Sequence, residues 1–197
     1  MPGSEPQPGY AAAAQAQPNR GQDIEHPITL TFEQAALGVI LPLQINRAGT
    51  METVEAKVPA GVMDGSRIRL RGLGEQVPGG EPGDIFIVTI VTPHPWFRRE
   101  RLDVLMDLPL SLYEAMLGTK VQIPTLYGSV TVTVPPGMSS GTRLRIKDHG
   151  VERAGEKGHH VAIVKIILPT SVSEQDRLTL LRIAERNPVS AREHLSW

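Results

Sequence analysis

Val58-Pro-Ala-Gly-Val-Met-Asp-Gly-Ser-Arg-Ile-Arg-Leu-Arg-Gly-Leu-Gly74 returns later in the chain as Val134-Pro-Pro-Gly-Met-Ser-Ser-Gly-Thr-Arg-Leu-Arg-Ile-Lys-Asp-His-Gly150. Both copies follow the pattern Val-Pro-x-Gly-x-x-x-Gly-x-Arg-x-Arg, and Gly137 comes 76 residues after Gly61. Two glycines four residues apart indicate a turn or bulge with positive φ. The arginines that follow alternate with aliphatic residues, which predicts a strand with one solvated and one buried face. The repeat therefore predicts two similar units in tandem.

The residues around each copy extend this pattern. Thr31-Phe-Glu-Gln34 and Ser111-Leu-Tyr-Glu114 are capping boxes, and each opens a short apolar helical turn that ends at a glycine, Gly38 or Gly118. Alternating apolar residues predict strands around these turns, at 28–32, 41–45, 54–58, 104–110, 121–123 and 130–134. The run 84–91 is apolar on both faces, as is typical of a central strand.

We therefore predict an all-β fold of two tandem β-sandwich or barrel-like domains with short helical turns, plus a C-terminal helix. We place the first domain at 23–98, the second at 99–170, and the C-terminal helix and tail at 171–197. Residues 1–22 are rich in Pro, Gly, Ala and Gln, so we expect a flexible linker. Such a linker suggests a preceding segment in a longer parent protein.

Composition excludes several classes of protein. The 197 residues carry a net charge of −1, which gives no electrostatic reason to expect nucleic-acid binding. Arginines do cluster at 67–71, but we interpret them as a solvated strand face. The chain contains no cysteine, so disulfides and thiolate metal sites are absent. With no apolar run of about 20 residues and no signal-peptide pattern, we expect a cytoplasmic protein without membrane contact.

The search for catalytic or metal-binding patterns gives no candidate. His159 and His160 are adjacent on a predicted strand, so they point to opposite faces and cannot chelate one ion together. The sequence has no nucleophile elbow, Walker loop or dinucleotide-binding glycine motif. We therefore expect neither an enzyme nor a cofactor.

Several segments together resemble the C-terminal region of DnaJ-type co-chaperones. They are the two capping-box helical turns, the paired Val-Pro-x-Gly-x-x-x-Gly-x-Arg segments, Gly83-Asp84-Ile85 and His94-Pro-Trp-Phe-Arg98. The resemblance covers about residues 24–185 and includes the internal repeat. It implies two β-rich domains that bind clients and a C-terminal helix that forms a homodimer. With no cysteine and no His-Pro-Asp motif in the sequence, the chain looks like the zinc-less type without its J domain.

In that family, a hydrophobic groove on the first domain takes extended, apolar segments of unfolded clients and passes them to a DnaK-type chaperone. The resemblance places this peptide-binding groove at His26, Ile28, Leu41, Leu43, Ile45 and Phe97. Leu43 and Phe97 are equally compatible with an ordinary core. Eukaryotic zinc-less relatives often carry a lysine, linked to holding an acidic chaperone tail, where this chain has Leu41.

The C-terminal helix is the second place where partners are expected. Leu178 and Leu181 lie on one face, and such an apolar stripe packs on the second domain or on a second copy; the resemblance favours a dimer. The alternative to a co-chaperone is a structural or assembly protein that uses the same β-repeats to bind a folded partner. A groove filled by the protein's own side chains would favour that alternative. The sequence does not decide between a fragment and a natural stand-alone form.

Overall fold

A computed structural model describes residues 20–47 and 49–193, and within these residues strands predominate. The predicted all-β class with short helical turns and a C-terminal helix is confirmed. The strands are β1 (Ile24–Leu30), β2 (Val39–Arg47), β3 (Thr50–Val58), β4 (Arg67–Leu70), β5 (Ile85–Val91), β6 (Phe97–Glu100), β7 (Asp103–Ser111), β8 (Thr119–Thr125), β9 (Gly128–Val134), β10 (Arg143–Ile146), β11 (Glu152–Arg153), β12 (Glu156–Lys157) and β13 (His160–Ile167). The helices are α1 (Phe32–Leu37), α2 (Leu112–Leu117) and α3 (Glu174–Arg186).

The chain divides into two compact units. The first contains the described residues up to Arg98 together with Val151–Lys157, and the second contains Arg99–Gly150 and the residues from Gly158 onward. The short hairpin of β11 and β12 therefore belongs to the first unit, although it lies inside the second sequence repeat.

The first unit is built from two small sheets. One has the order β1-β5-β4, with β1 parallel and β4 antiparallel to the central strand β5. The other is the antiparallel hairpin of β2 and β3. Ile28, Leu43, Ala56 and Ile87, contributed by both sheets, belong to one buried apolar cluster. The period-two pattern of the sequence thus places one face of each sheet in a shared core.

The second unit repeats this plan with one more strand. Its main sheet has the order β10-β13-β7-β6, and β7 runs parallel to β13 as β1 does to β5. The predicted hairpin of β8 and β9 is present, and its turn residues are Leu126 and Tyr127, one residue before the predicted Tyr127-Gly128. Residues such as Val104, Leu110 and Val164 are almost fully buried.

Local sequence signals set the helical turns and the repeated bends. In both α1 and α2 the capping box is complete: the hydroxyl of Thr31 or Ser111 accepts from the backbone N–H three residues later, and that residue's side chain accepts in return. Gly61 has φ of +77°, and its counterpart Gly137 has φ of +78°. The predicted positive φ values are confirmed, and they explain the glycines at these positions.

The two ends of the described chain differ in how firmly they are held. Of the predicted linker, residues 1–19 lie outside the described residues, whereas Gly21 is buried and its N–H donates to the carbonyl of Glu81. At the other end, Ser173 caps α3 by accepting from the N–H of Asp176. No residue of α3 is buried. Residues 194–197 of the predicted tail are not described.

Candidate functional site

Strand β1 has a partner on one side only. Within the described part of the chain its sole neighbour is β5. The N–H of Ile24 donates to Asp84 and the carbonyl of Leu30 accepts from Thr92, so the even-numbered residues direct their backbone groups toward β5. The backbone groups of 25, 27 and 29 then face the open side. Position 27 is a proline, which edge strands tolerate because no ladder donor is needed there.

The side chains on the inner face of β1 become more accessible toward its start. Leu30 and Ile28 are buried, His26 is half-buried, and Ile24 is 40% exposed. On β2 the gradient runs similarly, with Leu41 half-buried at the beginning of the strand. These accessible residues lie at the border of the buried core.

Several of the predicted groove residues come together, but mostly as core. Ile28, Leu43 and Ile45 belong to the buried cluster, and Leu41 packs against it. Leu43 is only 6% exposed. The protein's own side chains therefore fill this part of the predicted groove, which by itself favours the assembly-protein alternative, and accessible apolar surface remains at the margin of the groove.

Phe97 lies in a separate aromatic cluster at the end of the first sheet. It stacks on His94 with 4.5 Å between ring centroids, and Phe32 at the start of α1 lies 6.0 Å from it. The Nε2 atom of His94 is 3.1 Å from a carboxylate oxygen of Glu33. The pKa of Glu33 is lowered, chiefly by a backbone hydrogen bond, with smaller effects from Thr31 and His94 against the opposing effect of burial.

A buried carboxylate that the sequence analysis did not single out stabilises the start of β1. Asp84 accepts hydrogen bonds from the N–H of Gly72, from Arg69 and from Arg20. The Gly72 N–H is the largest cause of its lowered pKa; burial opposes this, and the two arginines assist. Asp84 also donates its own N–H to Asp23, so residues that precede β1 are tied to the strand beside it. In the sequence, the only indication of this role is the pair Gly83-Asp84 before the predicted central strand.

The corresponding places in the second unit look different. Strand β7, the counterpart of β1, has the four-residue strand β6 beside part of its nine residues on the other side. At the end of that sheet, however, an open apolar pocket of about 310 Å³ lies between the start of α2 and the residues after β13, and its lining includes Leu112, Tyr113 and Leu168. Tyr113 is 57% exposed.

The second unit also contains a buried histidine. His160 is fully buried at the start of β13, whereas the adjacent His159 is only partly buried, as expected for opposite faces. Burial, with a smaller contribution from His149, lowers the pKa of His160 to about 4. The ring is therefore neutral near pH 7.

The predicted dimerisation residues lie on an uncovered helix face. Leu178 and Leu181 are each 49% exposed on α3. Among the residues that the structure describes, no group of three or more metal-ligating side chains occurs. The same residues include no helix of the length and apolarity needed to span a membrane.

Comparison with known proteins identifies similar chains. Residues 24–169 match the family model of the DnaJ C terminal domain. A curved DNA-binding protein of Pseudomonas putida (strain W619) is 36% identical, over 95% of this chain and 63% of its own length. A curved DNA-binding protein of Coxiella burnetii (strain Dugway 5J108-111) is 35% identical, over 89% of this chain and 59% of its own length.

A protein named chaperone protein DnaJ, from Geobacillus kaustophilus, is 30% identical over 86% of this chain and 63% of its own length. The chain thus spans about three-fifths of the length of the curated relatives that it matches.

Proposed function

Because this chain belongs to the DnaJ C-terminal domain family, we propose that its first unit holds extended, apolar segments of unfolded client proteins. The observation that carries the proposal is the open side of β1 next to accessible apolar side chains. An extended segment can add a strand to such an edge, with backbone hydrogen bonds for affinity and side-chain contacts for selectivity. The N–H groups of Glu25 and Thr29 are the donors on that side, since Pro27 has none.

The burial pattern determines where client side chains go. Leu43 and Ile45 are already covered, so client contacts fall on Ile24, His26 and Leu41 at the margin of the core. Each Leu or Phe side chain that a client buries contributes roughly 1.5–3 kcal/mol. Two or three such contacts, less the cost of ordering the client, give affinities of about micromolar. Binding of this strength permits release.

A matched pair of variants tests the proposal. Leu41 in β2 and Val121 in β8 occupy equivalent places, and both are half-buried. Leu41→Asp is expected to weaken binding of an apolar, unfolded model peptide by about tenfold or more, measured by fluorescence anisotropy, while Val121→Asp retains it. Equal losses in both variants, with circular dichroism unchanged, would assign no special role to the first unit.

We also propose that α3 forms a homodimer. The helix has an apolar stripe with Leu178 and Leu181 about half exposed, and none of its residues is buried in this chain. A dimer would strengthen client holding by avidity. Sedimentation equilibrium of the intact chain and of a chain ending at Pro169 is expected to give a dimer and a monomer, respectively. An intact chain that is monomeric at tens of micromolar would contradict this.

Delivery to a DnaK-type chaperone is the further step of the proposal. The sequence contains no His-Pro-Asp motif, the feature by which J domains of this family act. The chain alone is therefore expected to leave the single-turnover ATPase rate of a DnaK-type chaperone unchanged. A several-fold stimulation would show that it acts directly.

DNA binding is a second candidate function. Basic side chains in and after β4 and β10 support it, and two of the relatives are named curved DNA-binding proteins. Arg71 after β4, and Arg145 and Lys147 in and after β10, have no carboxylate partner among the described residues. Phosphate contacts would make binding depend steeply on salt. Duplex binding that is unaffected by Arg71→Ala and Arg145→Ala together would exclude these basic side chains as its cause.

A further inference from the structure

His94 is held by its two ring nitrogens in different ways. Its Nδ1 atom accepts hydrogen bonds from the backbone N–H of Phe97, at 3.0 Å, and of Trp96, at 3.2 Å. Its Nε2 atom lies 3.1 Å from a carboxylate oxygen of Glu33 on α1. A nitrogen that accepts cannot carry a proton, so this arrangement requires the neutral ring with its proton on Nε2.

The same ring covers apolar surface. It stacks on Phe97 with an angle of 11° between the ring planes, and Phe32 lies 5.8 Å from it. Both phenylalanines are less than a tenth exposed. Trp96 meets the ring edge-on at 5.7 Å and is itself 62% exposed. His94 and the turn that it holds therefore close the end of the first sheet.

The second unit shows what this place looks like without such a histidine. The pairing registers set Leu30 opposite Val91 and Leu110 opposite Ile166, so the counterpart of His94 is Pro169. Proline has no side-chain acceptor. At that place the second unit has the open apolar pocket lined by Leu112 and Tyr113.

We propose that His94 is a proton-sensitive latch that closes an apolar surface formed by Phe32 and Phe97. A proton on Nδ1 turns the acceptor into a donor and leaves the N–H groups of Trp96 and Phe97 facing it. The turn then opens, and the first unit acquires an apolar pocket like that of the second. If the proposed client binding holds, this pocket adds client contacts when His94 is protonated.

The charged groups around the ring define how the latch works. Glu33 favours the charged ring, but it contacts Nε2, which carries a proton in both states. Arg98 and Arg99 in β6 are the nearest basic residues to His94 along the chain. Protonation therefore acts on the turn itself and leaves the contact with α1 in place.

Trp96 provides a readout that does not depend on any client. In a chain carrying Trp197→Phe, the fluorescence of Trp96 is followed from about pH 8 to pH 5, the range in which histidine titrates. The expected result is a single transition, with a red shift of the emission maximum and quenching when Nδ1 takes up a proton. A Trp96 emission that does not change with pH would overturn the proposal.

His94→Asn is the matched control. Its side-chain oxygen accepts the same two N–H groups but does not titrate. The variant is expected to keep the neutral-pH spectrum throughout. If it shows the same transition as the parent chain, another group causes the change and the latch is wrong.

The link to client binding has its own readout. His94→Phe keeps an aromatic ring but removes the acceptor, so the turn is expected to be open at every pH, with increased binding of a hydrophobic dye. If the fluorescence of Trp96 changes as expected but peptide binding does not depend on pH, the latch is supported and its role in client holding is excluded.

Discussion

The two units begin each repeat with a strand that leads into a capped helical turn, but the outer sides of these two strands are paired to different extents. In the first unit β1 pairs with β5 alone among the described residues, whereas in the second unit the four-residue strand β6 pairs with part of the nine-residue strand β7 on the side away from β13. Backbone groups on the open side can pair with another chain. This difference supports the proposal that clients pair with the first unit, although both repeats have nearly the same sequence pattern.

The units also differ at the end of the main sheet, and here the second unit is the more open one. The end of the first sheet is closed by the aromatic cluster around His94, and the end of the second is an open apolar pocket. The two units thus leave apolar side chains accessible at different places. Substitutions in the two cores, at His160 and in the capping boxes test how far the units are alike.

The largest effect is expected in the two cores, where the units should behave alike. Leu43 and Ile123 occupy equivalent positions in β2 and β8, and both are buried. Leu43→Ala and Ile123→Ala should each lower the free energy of unfolding by about 2–5 kcal/mol. Urea denaturation measures this. A cost of less than about 1 kcal/mol for Leu43→Ala would show that Leu43 lies in an open groove after all.

The next largest effect is expected on acidification, which should lower the stability of the second unit more than that of the first. His160 is neutral and buried in β13, with its pKa lowered to about 4, while the first unit has Ile85 at this position. The unfolded chain takes up a proton below its ordinary pKa of about 6.5, so stability falls as the pH drops from there toward 4.

The expected loss in the second unit is about 3 kcal/mol. Unfolding midpoints measured against pH check it, and His160→Leu should flatten the profile in this window. An unchanged acid dependence in that variant would mean that another group is responsible.

The smallest loss of stability is expected at the capping boxes, a feature that both units have. Thr31→Ala and Ser111→Ala each remove one capping box, at an expected cost of about 1 kcal/mol. The two losses should be similar, because both hydroxyls accept from the backbone N–H three residues later at 3.2 Å. Thermal denaturation of the two variants makes the comparison. A loss confined to one variant would mean that the turns are not equivalent.

Sequence reasoning predicted the features that depend on neighbours along the chain. The capping boxes, the positive-φ glycines and the hairpin at Tyr127 follow from residues within a few positions of one another. The buried cluster around Asp84 could not be predicted in this way, since one of its partners, Arg20, lies 64 residues away. Strand alternation likewise cannot show which strand becomes an edge.

The candidate site was predicted only in part for the same reason. Alternation identified the inward rows of β1 and β2, but the degree of burial depends on how far the two sheets cover each other. Leu43 is therefore core, and His26 and Leu41 remain accessible. Phe97 packs beside His94 within one local turn, in which the N–H of Phe97 donates to the His94 ring.

The central claim is that a client strand pairs with the open side of β1. Amide hydrogen exchange of the full chain, with and without an apolar unfolded peptide, tests it most directly at the amides of Glu25 and Thr29. We predict slower exchange at these two positions on binding, and no change along β7. Binding that leaves both β1 amides unchanged, or that protects β7 or the second-unit pocket instead, would contradict the account.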